Sequence, residues 1–213
     1  MNQPHARPQV NCPRCGAPHP IKNPGVVMVQ CEYCSELFAW NAEGISSAGQ
    51  QSLLVEGFTR LYRGAKGTIG QERFEVLGRV RYDFGQGFWD EWFLTMQSGQ
   101  SAWLTEDDHQ LAWQTPIAWQ FQADPAAYQP GQRLAVDGVE YVIHEVGHAK
   151  CLGVEGSLPR SIVPGHAYRY ADATSPNGRF TLGLEFDDAP PSAYVGHWLL
   201  HEGLSLDDEG EVW

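Results

Sequence analysis

Apolar and polar positions along residues 72–105 alternate with a period of two, which is the spacing of strands rather than helices. Phe74, Val76, Val80, Tyr82 and Phe84 fall on one face of this run, and Glu75, Arg79, Arg81 and Asp83 on the other. A Gly85-Gln86-Gly87 turn leads into Trp89–Met96, where Trp92, Leu94 and Met96 alternate with Glu91, Phe93 and Thr95. Ser98-Gly99-Gln100 turns the chain again, and Ala102-Trp103-Leu104-Thr105 runs back, so the segment predicts an antiparallel meander. The same style returns downstream. Asp137-Gly138 is a two-residue hairpin signal between Leu134-Ala135-Val136 and Val139–Val146. Pro176-Asn177-Gly178 separates Tyr168 and Tyr170 from an alternating run through Phe180, Leu182, Leu184 and Phe186. No stretch of twelve residues carries a capped helical stripe. The fold class expected is mainly β: a small N-terminal ribbon, then an antiparallel domain of two packed sheet or barrel lobes. The corresponding boundaries are 1–40 for the ribbon, 41–52 for a small, polar linker, 53–120 for the first lobe and 121–213 for the second. The two halves share a loose style, Gly-led aromatic–Val strands with aromatic-acidic returns, as a duplication would leave.

The ribbon rests on cysteine spacing. Cys12-Pro13-Arg14-Cys15-Gly16 and Cys31-Glu32-Tyr33-Cys34-Ser35 are two Cys-x-x-Cys pairs. This is the pattern of a four-thiolate zinc site, in which each pair forms a tight turn with both sulfurs aimed at the metal. Gly16 lets the backbone turn beneath the ion, and Ser35 is small enough to do the same. Val26–Gln30 and Leu37–Trp40 read as the strands entering and leaving the second turn. Cys12, Cys15, Cys31 and Cys34 are therefore the expected ligands of one structural Zn²⁺. Four protein ligands leave no open position for chemistry. A unit of about forty residues is too small to fold on its own core, so the metal would supply much of its folding energy. Residues 10–40 are expected to unfold without zinc while the rest stays folded. Cys151 stands apart and reads as a small buried hydrophobe in a strand.

Charge narrows the partners. The 213 residues carry a net charge of −12, and residues 1–45 balance to zero, so the excess lies in the remainder. An acidic surface repels phosphate backbones, which argues against nucleic acid as the partner. A protein partner fits better, with Tyr33, Phe38 and Trp40 as candidate anchors, unless they cover the metal site instead. The longest apolar runs are too short for a transmembrane helix, and Met1–Val10 lacks the apolar stretch of a signal peptide. A cytoplasmic location is the resulting expectation, with membrane contact only through a partner.

The string Glu75-Val76-Leu77-Gly78-Arg79-Val80-Arg81-Tyr82, then Trp89-Asp90-Glu91-Trp92-Phe93-Leu94 and Trp103-Leu104, resembles the bacterial domain of unknown function 4178. Val154-Glu155-Gly156-Ser157-Leu158-Pro159 is similar to that family's Gly-Glu-Leu-Pro stretch, with Ser157 where an acidic residue is usual. Tyr170-Ala171-Asp172 and Leu184-Glu185-Phe186 fit its closing part, so the resemblance spans about residues 53–200. It implies a zinc ribbon ahead of a domain without an assigned activity, and an accessory role in a membrane-associated or envelope system.

One motif points to a different class. His144-Glu145-Val146-Gly147-His148 matches His-Glu-x-x-His, which on a helix brings two histidines to one zinc with the glutamate as general base of a peptidase. Here the motif follows a hairpin signal in a run of Val, Ile and Tyr. On a strand the two histidines stand about 13 Å apart, whereas one zinc spans only about 4 Å between ring nitrogens. The expected strand places Tyr141, Ile143 and Glu145 on one face and Val142, His144, Val146 and His148 on the other. His197-x-x-x-His201 has the same i,i+4 spacing, but Trp198, Leu199 and Leu200 fill it as packing residues. Gly64-Ala65-Lys66-Gly67-Thr68 lacks the spacing of a phosphate loop and reads as a turn. Asp107-Asp108 and Asp187-Asp188 read as solvated surface acids. No catalytic residue is assigned. A non-catalytic zinc-ribbon adaptor leads, and a metallopeptidase using His144, Glu145 and His148 is the alternative.

Overall fold

The structure is a computed structural model that describes residues 9–50, 54–55, 59–108, 110–187, 190–200 and 203–208. The regular elements among its described residues are antiparallel strands, with a 3-10 turn at Pro125–Ala127. The first five strands form the ribbon: β1 (Gln9–Asn11), β2 (Pro18–Pro20), β3 (Met28–Gln30), β4 (Glu36–Asn41) and β5 (Gly44–Gln50). The next five run as a meander: β6 (Lys66–Ile69), β7 (Glu72–Asp83), β8 (Phe88–Met96), β9 (Ser101–Asp107) and β10 (Gln110–Ile117). After a connection come β11 (Arg133–Val136), β12 (Val139–Leu158), β13 (Ala167–Thr174), β14 (Phe180–Glu185), β15 (Ser192–Leu199) and β16 (Leu204–Leu206).

The meander and both hairpin signals are present. Asp137 and Gly138 take the left-handed backbone that a two-residue turn demands, with φ of 49° and 80°, and join β11 to β12. Gly178 turns β13 into β14. The two stretches expected as separate lobes interleave instead. β10 pairs with β15, and β12 pairs with β7, so the order β7-β8-β9-β10-β15-β14-β13-β12 closes back on β7. Both halves of the chain thus build one eight-stranded antiparallel barrel. β6 and β16 pair with one another and extend the sheet beyond β7.

Departures from strict alternation help set which side chains point inward: besides a shift in β12 between Cys151 and Gly153, two bear on the barrel interior. The β7–β8 register shifts between Val76 and Gly78, so Leu77 is an extra residue. A bulge of this kind reverses the faces beyond it. Phe74 and Val76 accordingly pack outside the barrel with Trp92, Leu94 and Met96, under Leu204 and Leu206 of β16. Val80 and Tyr82, expected on that same face, join Phe93 and Trp103 in the core that spans the barrel. Arg79 and Arg81 then lie on the outer face, yet both are buried, where a polar solvent face was expected. A second bulge falls at His144, between Ile143 and Glu145. Tyr141, Ile143 and Val146 pack outside against Ala171, Ala173 and Leu182, while Glu145 turns to the interior. The expected sharing of a face by Tyr141, Ile143 and Glu145 is corrected by that one residue.

The ribbon is joined to the barrel rather than hung from it. β12 is 20 residues long, pairs with β13 and β7 in turn, and ends against β3 through Ser157–Val29 and Leu158–Met28. Met28, Val29, Leu37 and Phe38 share one buried cluster with Tyr82, Phe93 and Leu158. Asn23 donates to Thr95 and Ser101 across the boundary. The segment expected as a linker, 41–52, supplies β5, which pairs with β4 from Asn41–Gly44 to Glu36–Gln50. Its small polar residues suit a hairpin strand on an exposed edge as well as they suit a linker.

Candidate functional site

Cys12 and Cys31 each open a turn with the same hydrogen bonds. Gly16 N–H donates to the Cys12 carbonyl at 2.9 Å, and Cys12 N–H to the Ala17 carbonyl at 2.8 Å. In the second turn Ser35 N–H donates to the Cys31 carbonyl at 2.9 Å, and Cys31 N–H to the Glu36 carbonyl at 2.8 Å. The residue that closes each turn is left-handed, Gly16 at φ 77° and Ser35 at φ 57°. A Cβ disfavours that conformation, so Ser35 is held there by its surroundings. Both turns aim their sulfurs at a common point. Cys12 Sγ lies 3.7 Å from Cys34 Sγ, and Cys15 Sγ lies 3.6 Å from Cys31 Sγ. All four sulfurs fall within 4.8 Å of one another. A tetrahedral ion with arms of about 2.3 Å has edges of about 3.8 Å, so the donor set fits such an ion. Backbone N–H groups of Cys15 and Arg14 approach Cys12 Sγ and hold its thiol down to about 7 against the opposing effect of burial. Burial pushes the Cys34 thiol the other way, to about 12. The three aromatic residues of the ribbon divide. Phe38 is fully buried and Trp40 is half-buried, so the role of exposed anchor fails for Phe38, while Tyr33 is 74% exposed.

His144, Glu145 and His148 lie on β12, in extended backbone. Among the described residues the four cysteines are the sole cluster of metal-ligating side chains, and neither histidine belongs to it. His144 and Glu145, both exposed, instead line the solvent-open side of a cavity of about 180 Å³ in the barrel. Glu91 of β8, Asp107 of β9, Asp172 of β13 and Glu185 of β14 face the same space. So do the rings of Trp89, Tyr170 and Tyr194. Thr105, Gln114 and Thr181 form a hydrogen-bonded ladder along the wall, with both contacts 3.2 Å. Arg160 reaches in to pair with Glu91 and Glu185. Tyr170 donates its hydroxyl to Glu145 Oε1 at 2.6 Å. Burial, then Glu145, Glu91 and Asp107, raise the Asp172 carboxyl to about 7. Burial, Asp108 and Glu145 raise Asp107 as well, so its reading as a simple solvated acid is incomplete.

A family match to Domain of unknown function (DUF4178) spans residues 63–201, well over half of the chain. The chain belongs to the DUF4178 family. No curated protein and no solved structure matches it. All eight barrel strands lie within the DUF4178 region, and the four cysteines lie before it. The cavity is thus a property of the DUF4178 region, and the cysteine cluster belongs to the segment ahead of it.

Other sequence candidates resolve simply. Cys151 is fully buried on β12, and burial raises its thiol to about 12, as suits a packing residue. His197 packs against the Trp113 ring at 5.4 Å, and His201 lies outside the described residues. Asp187 accepts from Arg169 Nη2 at 2.6 Å, and its neighbour Asp188 lies outside the described residues. Gly64 does lie in a turn, but Lys66, Gly67 and Thr68 belong to β6. A Cβ on Gly67 would stand 2.0 Å from the Ser205 carbonyl, so this glycine admits β16 rather than a phosphate. The cavity carboxylates went unnoticed in the sequence because they are spread over five strands. An acidic or polar residue at every second position of Thr105–Asp107 and Tyr170–Thr174, and at both ends of Thr181–Glu185, was the visible signal.

Proposed function

We propose that the protein is a non-catalytic adaptor in which one zinc ion, held by Cys12, Cys15, Cys31 and Cys34, sets the shape of a ribbon that docks on a protein partner. The observation that carries this reading is the convergence of four sulfurs at tetrahedral spacing, a donor set that would leave a bound ion no open coordination position. Thiolate donors select a soft or borderline ion such as zinc over magnesium or calcium. Tyr33, exposed beside the second turn, is the aromatic the ribbon offers a partner. Net charge of −12 favours a protein over nucleic acid. No helix among the described residues is long and apolar enough to cross a membrane. A cytoplasmic location, with a membrane-associated or envelope system reached through the partner, is the setting we propose. Elemental analysis tests the metal. One zinc per chain is expected, lost in Cys12→Ser and Cys34→Ser and retained in His144→Ala. A second zinc lost in His144→Ala, with peptide hydrolysis abolished in Glu145→Gln, would overturn the reading in favour of a peptidase.

A further inference from the structure

The interior of an eight-stranded barrel is either filled by side chains or left with room for one small ligand. This barrel does both. Phe93, Trp103, Val80 and Tyr82 fill part of it, and the remainder is the cavity of about 180 Å³. Carboxylates dominate the polar groups there, and their partners are unequal. Arg160 answers Glu91 and Glu185, and Tyr170 answers Glu145. Asp172 is half-buried, faces the cavity, and has no hydrogen-bond or ion-pair partner among the described residues. A carboxylate that opens to the cavity with no protein donor leaves its acceptor positions to a donor that enters from outside. The backbone opposite leaves room for one. Asp172 pairs across strands with Gly183, and a Cβ on Gly183 would stand 3.6 Å from Asp172 Oδ1 and from Gln114 Nε2, inside the space the glycine keeps open.

The same observations select the class of ligand. The cavity carboxylates do not converge at metal-ligand distance, as the cysteines do. A bare divalent ion is therefore a poor fit, and a cation with its charge at the end of an organic group is a good one. The rings of Trp89 and Tyr194 provide the apolar wall such a group needs. We propose that the barrel cavity is a binding site for a small organic cation, a primary alkylammonium of about five to eight non-hydrogen atoms, whose N–H groups are taken by Asp172. The site stands independently of the zinc ribbon.

Calorimetric titration of the full-length, zinc-loaded protein with n-butylammonium tests this, in phosphate because Tris is itself a primary amine. Saturable binding with a dissociation constant below about 10 mM is expected. 1-Butanol should bind at least about tenfold more weakly, because it lacks the charge. Asp172→Asn, which keeps the shape, should weaken binding at least about tenfold. Gly183→Ala should weaken it similarly by occupying the space beside the carboxylate, and carries the test if Asp172→Asn fails to fold. The groups facing Asp172 are Glu91 of β8, Asp107 of β9, His144 and Glu145 of β12, Tyr170 of β13, Glu185 of β14 and Tyr194 of β15, with Arg160 beside them. Binding should tighten about tenfold from pH 6 to pH 8 as Asp172 ionises, and Asp172→Asn should lose that dependence. No binding of n-butylammonium, equal binding of 1-butanol, displacement of n-butylammonium by equimolar Mg²⁺, or unchanged affinity in both variants would each overturn the proposal.

Discussion

Arg79, Asp90 and Arg81 lie side by side on the outer face of β7 and β8, each no more than 5% exposed. Arg81 grips Asp90 with Nε and Nη2 at 2.8 and 2.7 Å, and Arg79 Nη2 joins at 2.8 Å. The two guanidiniums lie over the Trp92 and Phe88 rings. Removing the shared carboxylate leaves buried Arg81 without its anion and Arg79 with only Glu155 at 3.8 Å, a loss of about 3–5 kcal/mol. Asp90→Asn should therefore lower the urea midpoint strongly, measured at fixed pH, without changing zinc content. Asp172 acts in the opposite sense. Its carboxyl titrates at about 7 in the fold and near the ordinary carboxylate value when unfolded. Between about pH 4 and 7 the native state holds a proton that the unfolded chain has released, so stability from this group falls as pH rises through that window. Above pH 7 the penalty is complete. Asp172→Asn should remove it, raising stability at pH 8 by on the order of 2 kcal/mol and flattening the profile from pH 4 to 7. Thermal unfolding across pH checks the sign.

At the scale of elements, closure of the barrel depends on the seam between β7 and β12. Gly78 and Gly156 face one another across it. A Cβ on Gly78 would stand 2.4 Å from the Ser157 carbonyl, and one on Gly156 would meet the Leu77 carbonyl at 2.3 Å. Backbone cannot yield as a side-chain tip can. Gly78→Ala should separate the strands at a cost of about 2–3 kcal/mol, seen as a lower unfolding midpoint and faster amide exchange in β7 and β12. The bulges at Leu77 and His144 are as consequential. Each reverses the inward and outward faces of its strand, which sends Val80 and Tyr82 inside and Glu145 into the cavity. Period-two patterning revealed these strands and their turns, yet it could not mark the bulges. One extra residue leaves the sequence alternating on both sides and changes only the phase between them.

For the whole molecule, ribbon and barrel share β12 and one buried cluster, so their stabilities are coupled. The sequence suggested that zinc loss would unfold residues 10–40 alone. The shared strand and core lead to a different expectation. Chelation should lower the unfolding temperature of the barrel together with that of the ribbon, in one transition followed by far-UV and tryptophan signals. An unchanged barrel transition after chelation would mean that the β3–β12 junction contributes little.

The strand class, the hairpins at Asp137-Gly138 and Pro176-Asn177-Gly178, and the two cysteine turns were legible in the chain itself, because each depends on neighbours a few residues apart. The extended state of His144–His148 was legible for the same reason, and it separates the two histidines whatever the rest of the fold does. Closure of one barrel from both halves was not legible, since the β10–β15 and β7–β12 pairings join residues far apart in sequence. Nor was the acidic cavity. Glu91, Asp107, Glu145, Asp172 and Glu185 look like ordinary surface acids one at a time, and only closure of the sheet, with a bulge at His144, turns them toward a common interior.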